Sequence, residues 1–429
     1  MKISLNKRFR QNNVMNNIIH KISFAKLFLL AILPIIFCTL CTAQNLTTGQ
    51  EVRYNPITTA VPFLTITPDS RQGAMGDAGA ATSPDANSQH WNPSKYAFIN
   101  DQYGLSLSYT PWLRQLTGDI NLAYLAGYYK PDGLQTIGTS LRYFSMGSIR
   151  QTDRTGTFLS TANPNEFALD VSYSRKLSEV FSGGVAIRYI RSDLSGGSAG
   201  TMSGTVAYSA GNAFATDVSF YYHNRLGGEA SANWVSAGVN FSNIGSKVSY
   251  NQGSTKEFLP ANMRLGTTFT TELTDSSSFS FSVDLNKLMV PTPSNVYTTR
   301  TDGTVLVTED TNSGKSVISS IFGSFGDAPG GMKEELQEIT WSLGAEYWYK
   351  RRFALRGGYF NESQNKGNRK YFSAGVGVKI KTCNIDLSYL IPVQKNNPLA
   401  NTIRLSVLFN INRILQSADK QGPQENRTE

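Results

Sequence analysis

The chain has 429 residues, three cysteines, three histidines and a formal charge of +9. So few nitrogen and sulfur ligands leave little for zinc chemistry. The basic balance does not mark a nucleic-acid partner, because Lys2, Lys7, Arg8, Arg10, Lys21 and Lys26 open the chain with no acid among them, and without those six the charge falls to +3.

These basic residues and the apolar run that follows, LFLLAILPIIFCTL, read as an export signal over residues 1–43. Cys41 and Ala43 supply small side chains for cleavage after Ala43, and Met15 is an alternative start. A lipoprotein signal at Cys41 fits less well, since Leu40 before it is bulky. The run is too short to span a bilayer comfortably. Removal of Cys38 and Cys41 with the signal leaves Cys383 alone, so no internal disulfide is expected.

Residues 44–101 form an N-terminal periplasmic or plug segment in this reading. Its centre, TITPDSRQGAMGDAGAATSPDANSQHWNPSKYAF, carries Gly73, Gly76 and Gly79 at three-residue spacing and ends in His90, Trp91, Asn92 and Pro93. The sequence GAMGDAG lacks the preceding strand and βαβ frame of a dinucleotide loop. Its glycines suit close packing of backbone inside or beneath a barrel.

From residue 102 the chain alternates polar and apolar residues, the period of a strand. In YGLSLSYT, Leu105, Leu107 and Tyr109 oppose Ser106 and Ser108. In SFSFSVDLNK, Phe279, Phe281, Val283 and Leu285 oppose Ser280, Ser282 and Asp284. Alternation predicts fourteen strands, at 102–110, 119–129, 134–144, 165–176, 180–192, 215–223, 231–242, 262–273, 277–287, 338–349, 352–360, 370–381, 382–391 and 400–411. The fold class is therefore all-β: a transmembrane, 14-stranded antiparallel outer-membrane β-barrel over 102–411 with an N-terminal plug segment, followed by a polar tail at 412–429. A charge facing lipid is costly, so Asp284, Glu346, Asp386, Arg188 and Arg404 are expected to point into the lumen.

Connections after even-numbered strands are short and those after odd-numbered strands mostly long, the pattern of periplasmic turns and external loops. The longest, about 288–337, contains SGKSVISSIFGSFGDAPGG, in which Val317, Ile318, Ile321, Phe322 and Phe325 suit one face of a short helix. That helix either folds back onto the barrel or presents a partner-docking surface. Trp112, in the first external turn, is a candidate interface anchor or partner contact. No G-x-S-x-G elbow, H-E-x-x-H pair or P-loop lysine occurs, and His90 and His223 have no evident partner. No catalytic residue, metal or cofactor is expected.

The stretches DSRQGAMGDAGAATSPDANSQHWNPSKYAF, SYTPWLRQL, DINLAYLAGYYK, LRYFSMGSI, NPNEFALDVSYSRKLSE and FSGGVAIRYIRSDL resemble the PorV (LptO) family, outer-membrane components of the type IX secretion system, within the wider FadL-like barrels. The resemblance covers nearly all of the chain after the signal. It implies a non-enzymatic protein that binds the C-terminal signal domains of secreted cargo at an SprA-type translocon barrel. It would then carry them to an attachment complex of a PorU-type sortase with PorQ- and PorZ-type proteins. FadL-like relatives carry an Asn-Pro-Ala motif in an N-terminal segment packed at the periplasmic end; Asn92 and Pro93 match it, and Ser94 departs from it. Asp69, Arg71, Gly73, Met75, Gly76, His90, Trp91, Asn92 and Pro93 are the candidate plug residues. Ile318, Ile321, Phe322, Phe325 and Trp112 are the candidate partner surface, with cargo contacts expected from loops near 144–164, 193–214, 243–261 and 288–337. The alternative function is a FadL-like channel for hydrophobic small molecules, which predicts a continuous apolar pocket in the lumen.

Overall fold

The computed structural model describes residues 55–115, 117–153, 155–196, 209–228, 231–251, 256–299, 305–310, 314–394 and 397–411. The signal at 1–43 and the tail at 412–429 lie outside the described residues. The strands are β1 (Tyr103–Pro111), β2 (Ile120–Tyr129), β3 (Gln135–Met146), β4 (Ile149–Thr152), β5 (Phe158–Ala162), β6 (Asn165–Lys176), β7 (Phe181–Asp193), β8 (Gly211–Arg225), β9 (Asn233–Gly245), β10 (Asn262–Thr274), β11 (Ser277–Leu288), β12 (Asn295–Thr299), β13 (Val305–Asp310), β14 (Thr340–Tyr349), β15 (Phe353–Asn361), β16 (Lys370–Lys379), β17 (Cys383–Pro392) and β18 (Ile403–Asn410). Among them, fourteen close into one antiparallel barrel in which β1 pairs with β18. Closure leaves no unpaired edge in a medium that offers the backbone no hydrogen-bond partner.

Each of the fourteen strands expected from alternation has its counterpart in the barrel. The remaining four make two hairpins, β4–β5 and β12–β13, inside long connections read from sequence as loops. These short hairpins belong to no wall with a lipid side and a lumen side, so they carry no sustained alternation to detect.

The period-2 pattern sorts side chains by solvent. In β1, Leu107 and Tyr109 point outward while Ser106, Ser108 and Thr110 are buried inside. Asp284, Glu346, Asp386, Arg188 and Arg404 are all buried, on the inward face of their strands, as the cost of charge in lipid requires. No helix of the described residues is long and apolar enough to cross a membrane.

The inward faces are small because another part of the chain fills them. Residues 55–101 run inside the barrel as a 3-10 turn (Pro62–Thr65), helices α1 (Ser70–Gly73) and α2 (Ser88–Trp91), and a second 3-10 turn (Pro93–Phe98). Asn55 starts among the long connections, where its amide NH2 donates to the Pro293 carbonyl and to Glu334, and its backbone N–H to the Asn365 carbonyl. The first 3-10 turn packs Phe63 and Leu64 against Ala168, Ile190, Ala213 and Leu259. At the other end Lys130, beside a short turn, donates to the carbonyls of Ala97 and Ile99. The segment thus descends the barrel from its long-loop end to its short-turn end, and only its later part sits where a periplasmic segment was expected.

Candidate functional site: the packed lumen and its outer mouth

Helix α1 begins because Asp69 caps it: one carboxylate oxygen accepts from the Gln72 N–H at 3.0 Å. The other accepts from Trp91 Nε1 at 2.6 Å, which ties α1 to α2. From α1, Arg71 reaches across to β14. Its Nε and Nη2 donate to Glu346 at 2.9 and 2.8 Å, and its Nη1 donates to Asp85 at 2.8 Å. Glu346 also accepts from Arg356 Nε of β15, whose Nη1 donates to Asp386 of β17, both at 2.7 Å. One chain of alternating charge therefore joins the N-terminal segment to three strands. A second group, Arg188 between Asp170 and Asp217, braces β6, β7 and β8.

The glycine spacing acts through contact distance. Gly76 adopts φ +65°, and a Cβ there would lie 2.6 Å from the Tyr359 backbone. Its N–H donates to Ser373 Oγ. The Gly79 and Ala80 N–H groups both donate to Asp284 Oδ2, at 2.7 and 2.8 Å. A Cβ on Gly73 would meet Arg404, and Met75 is buried against Gly344 and Gly358. His90 Nδ1 stands 2.6 Å from Arg142 Nη2, and the Arg264 guanidinium lies 4.4 Å over the Trp91 ring. The Asn92 amide NH2 donates to the carbonyls of Ala80 and Phe220. The carbonyls of Pro93 and Ser94 accept from Ser174 and Ser182, near the short turn between β6 and β7. Ser94, the departure from the Asn-Pro-Ala pattern, makes a hydroxyl bond back to Asn92.

All nine residues assigned to the segment from sequence lie in this one packed assembly. Sequence reading missed Asp85, Lys95, Arg142, Asp170, Asp217, Arg264 and Arg356. Five of the seven are inward-parity charges in strands, so the rule that placed Asp284 inside would have found them. Lys95, whose Nζ donates to the Gly79 carbonyl at 2.8 Å, and Asp85 lie in the aperiodic segment and carried no such signal.

Above this assembly, toward the long loops, a cavity of about 460 Å³ is lined by Thr67, Asp77, His90, Arg188, Arg264, Asn286, Glu338, Lys366 and Arg369, with a few apolar neighbours such as Ile57 and Leu64. Its lining is mixed: Pro62, Leu288 and Phe360 add apolar surface to the charged groups, so it is not the continuous apolar slot expected for a hydrocarbon conduit. The long connection carries two helices at this end, α3 (Val317–Gly323) and α4 (Met332–Gln337). Lys287 donates to Glu335 and Glu338 at 3.0 and 2.6 Å, and Lys366 to Glu334 and Glu338 at 2.6 and 2.9 Å. Although partial burial pushes Glu334 up, hydrogen bonds from Lys366 and Asn55 hold it below its ordinary value.

The candidate partner residues are divided. Ile321 packs with Met289, Val290 and Ala261 at the rim, while Ile318, Phe322 and Phe325 are exposed. They do not form the single shared face expected from their spacing. Trp112 is half-buried against Phe360, Tyr371, Leu390 and Leu399. No group of acidic, histidine and cysteine side chains suited to hold a metal occurs among the described residues.

A family model described as "Type IX secretion system protein PorV" matches residues 48–295. The chain belongs to the PorV family. It is an outer-membrane β-barrel of the type IX secretion system. No curated protein sequence matches the chain. Among solved structures it is similar to the Pseudomonas putida toluene transporter TodX (12% identity, TM-score 0.46, covering 79% of this chain and 96% of that one). It is similar also to the Ralstonia pickettii toluene transporter TbuX (13%, 0.44, 79% and 96%) and to a Pseudomonas aeruginosa FadL homologue (12%, 0.39, 80% and 99%).

Proposed function

We propose that this PorV-family barrel is a non-enzymatic carrier. It binds the folded C-terminal signal domain of secreted cargo at the cell surface and passes it from an SprA-type translocon to a PorU-type sortase with PorQ- and PorZ-type partners. The observation that carries the reading is the family match over residues 48–295. Two features of the fold support it. Buried ion pairs and close backbone contacts occupy the lumen, which suits a carrier better than a conduit. The long connections gather on one end, where β4–β5, β12–β13 and the two helices build a broad surface. Residues 69–93 serve in this reading as a structural plug, and the segment at 1–43 as a cleaved export signal.

Pull-down of tagged protein from native outer membranes, read by mass spectrometry, should bring along a very large barrel, a sortase and exported proteins sharing one C-terminal domain. Deletion of the gene should change the type IX secretome. Recovery of the barrel alone, with an unchanged secretome, would sink the carrier reading.

Orientation has its own test. Gly314 and Gly133 both stand in open space, in a long and a short connection respectively. Gly314→Cys should react with a membrane-impermeant thiol reagent on intact cells, and Gly133→Cys only after the outer membrane is permeabilised. The opposite pattern would invert the barrel.

A further inference from the structure

The register of β9, β10 and β11 shows which layer of the wall lies under α3. Asn240, Arg264 and Asn286 are paired across the three strands and point inward. Asn240 bonds the Trp91 carbonyl, while Arg264 lies over the Trp91 ring and donates to Asn286 at 2.7 Å. Their outward neighbours on the short-turn side, Val239, Leu265 and Leu285, therefore face lipid, and Leu265 and Leu285 are exposed as lipid-facing side chains are. The outward layer next above is Phe241, Met263 and Lys287. Here the wall is covered. Phe241 and Met263 pack on the cluster of Ala261, Met289 and Val290, which spans the rim: it also receives Ile321 of α3 and, from the enclosed segment, Ile57. Lys287 is buried under Glu335 and Glu338, with its ammonium 5.6 Å from the Phe325 ring.

Two residues along a tilted strand rise about 5 Å. Helix α3 is thus seated on the rim, one layer above exposed lipid-facing leucines. Its sequence, VISSIFG, has no charge. Ile321 and Ser320 are turned to the rim. Ile318 at 71% exposure and Phe322 at 77% are turned away from it, and just past the helix Phe325, at 45%, leaves one part of its ring uncovered beside the outward-facing Lys287. The three recur at i, i+4 and i+7, so they form one stripe. An uncharged apolar stripe continuous with a lipid-facing wall suits acyl chains at the membrane boundary.

We propose that α3 is a lateral foot that lays Ile318, Phe322 and Phe325 into the outer leaflet of the membrane. The occupant of this face is lipid, and the foot holds the 289–338 connection down beside the barrel mouth.

The test uses the full chain, purified from outer membranes, with Cys383→Ser and single cysteines at Phe322, Leu285 and Gly314. Each is labelled with bimane and reconstituted in phosphatidylcholine vesicles. The Cys383→Ser parent, labelled in parallel, gives the background, and heat-modifiable migration shows that each barrel is folded. In vesicles of dibrominated phosphatidylcholine, bimane at Phe322→Cys should be quenched about as strongly as at Leu285→Cys. Aqueous iodide should quench it several-fold less than at Gly314→Cys. Iodide quenching equal to that at Gly314→Cys, with no effect of brominated lipid, would overturn the proposal by placing the stripe in water. Protection from both quenchers would also overturn it, because protein would then cover the stripe.

Discussion

Glu346→Ala should lower the stability of the barrel by about 3–5 kcal/mol, because it removes the shared partner of two buried cations. Glu346 accepts from Arg71 and from Arg356, and its side chain is 3% exposed. Without it Arg71 keeps only Asp85 and the carbonyl and hydroxyl of Ser83, and Arg356 keeps only Asp386. Two buried guanidinium groups, each left with a single carboxylate partner, would then stand where three carboxylates had balanced them. The measurement is the urea midpoint at which the heat-modifiable band is lost. Glu346→Gln, which retains an acceptor oxygen but no charge, should fall between the wild type and the alanine variant. Glu272→Ala, at an exposed position, should leave the midpoint unmoved. Equal midpoints for all four proteins would mean that the charged chain does not hold the N-terminal segment to the wall.

Gly358→Leu is expected to open the barrel to ions. A Cβ at Gly358 would stand 2.1 Å from the Gly76 nitrogen and the Met75 carbonyl carbon, and one at Gly238 would stand 2.2 Å from the Ala80 carbonyl oxygen. These are backbone atoms of the enclosed segment, and no rotamer change relieves the overlap. The strands themselves tolerate leucine, so the segment is the part that must leave its seat. Planar-bilayer recording should find wild-type protein silent, and Gly358→Leu and Gly238→Leu should conduct steadily. Gly357→Leu is the control. Its Cβ would meet only the Ser373 carbonyl, at 3.9 Å, and it should stay silent. If the two inward variants fold and remain silent, residues 69–93 do not close the lumen.

The fold was legible to an unusual degree, for a reason specific to this class. A wall with lipid on one side and packed polar chain on the other imposes one rule at every second residue for over three hundred positions. That rule predicts the fourteen barrel strands from the sequence and puts Asp284, Glu346, Asp386, Arg188 and Arg404 inside. It fails where the two-solvent condition fails. The hairpins β4–β5 and β12–β13 stand apart from the wall, and the five apolar residues of the 317–325 stretch separate into a covered set and an uncovered set. Helical spacing predicts a stripe but does not say how far the rim reaches around it.

The sequence by itself determined the class of fold, the number and position of the barrel strands, the inward charges and the family. Each of these is written in local periodicity or in continuous motifs. Only the tertiary structure decided how those inward charges pair. It joined Arg71 to Glu346, 275 residues apart, and placed Gly79 beneath Asp284, 205 residues away. It also turned residues 55–67 toward the long-loop end and set Ile321 of α3 on the rim. These contacts follow from closing the barrel around its own N-terminal segment. Closure brings remote residues together by shape, and no pattern within any one stretch of chain encodes which of them will meet.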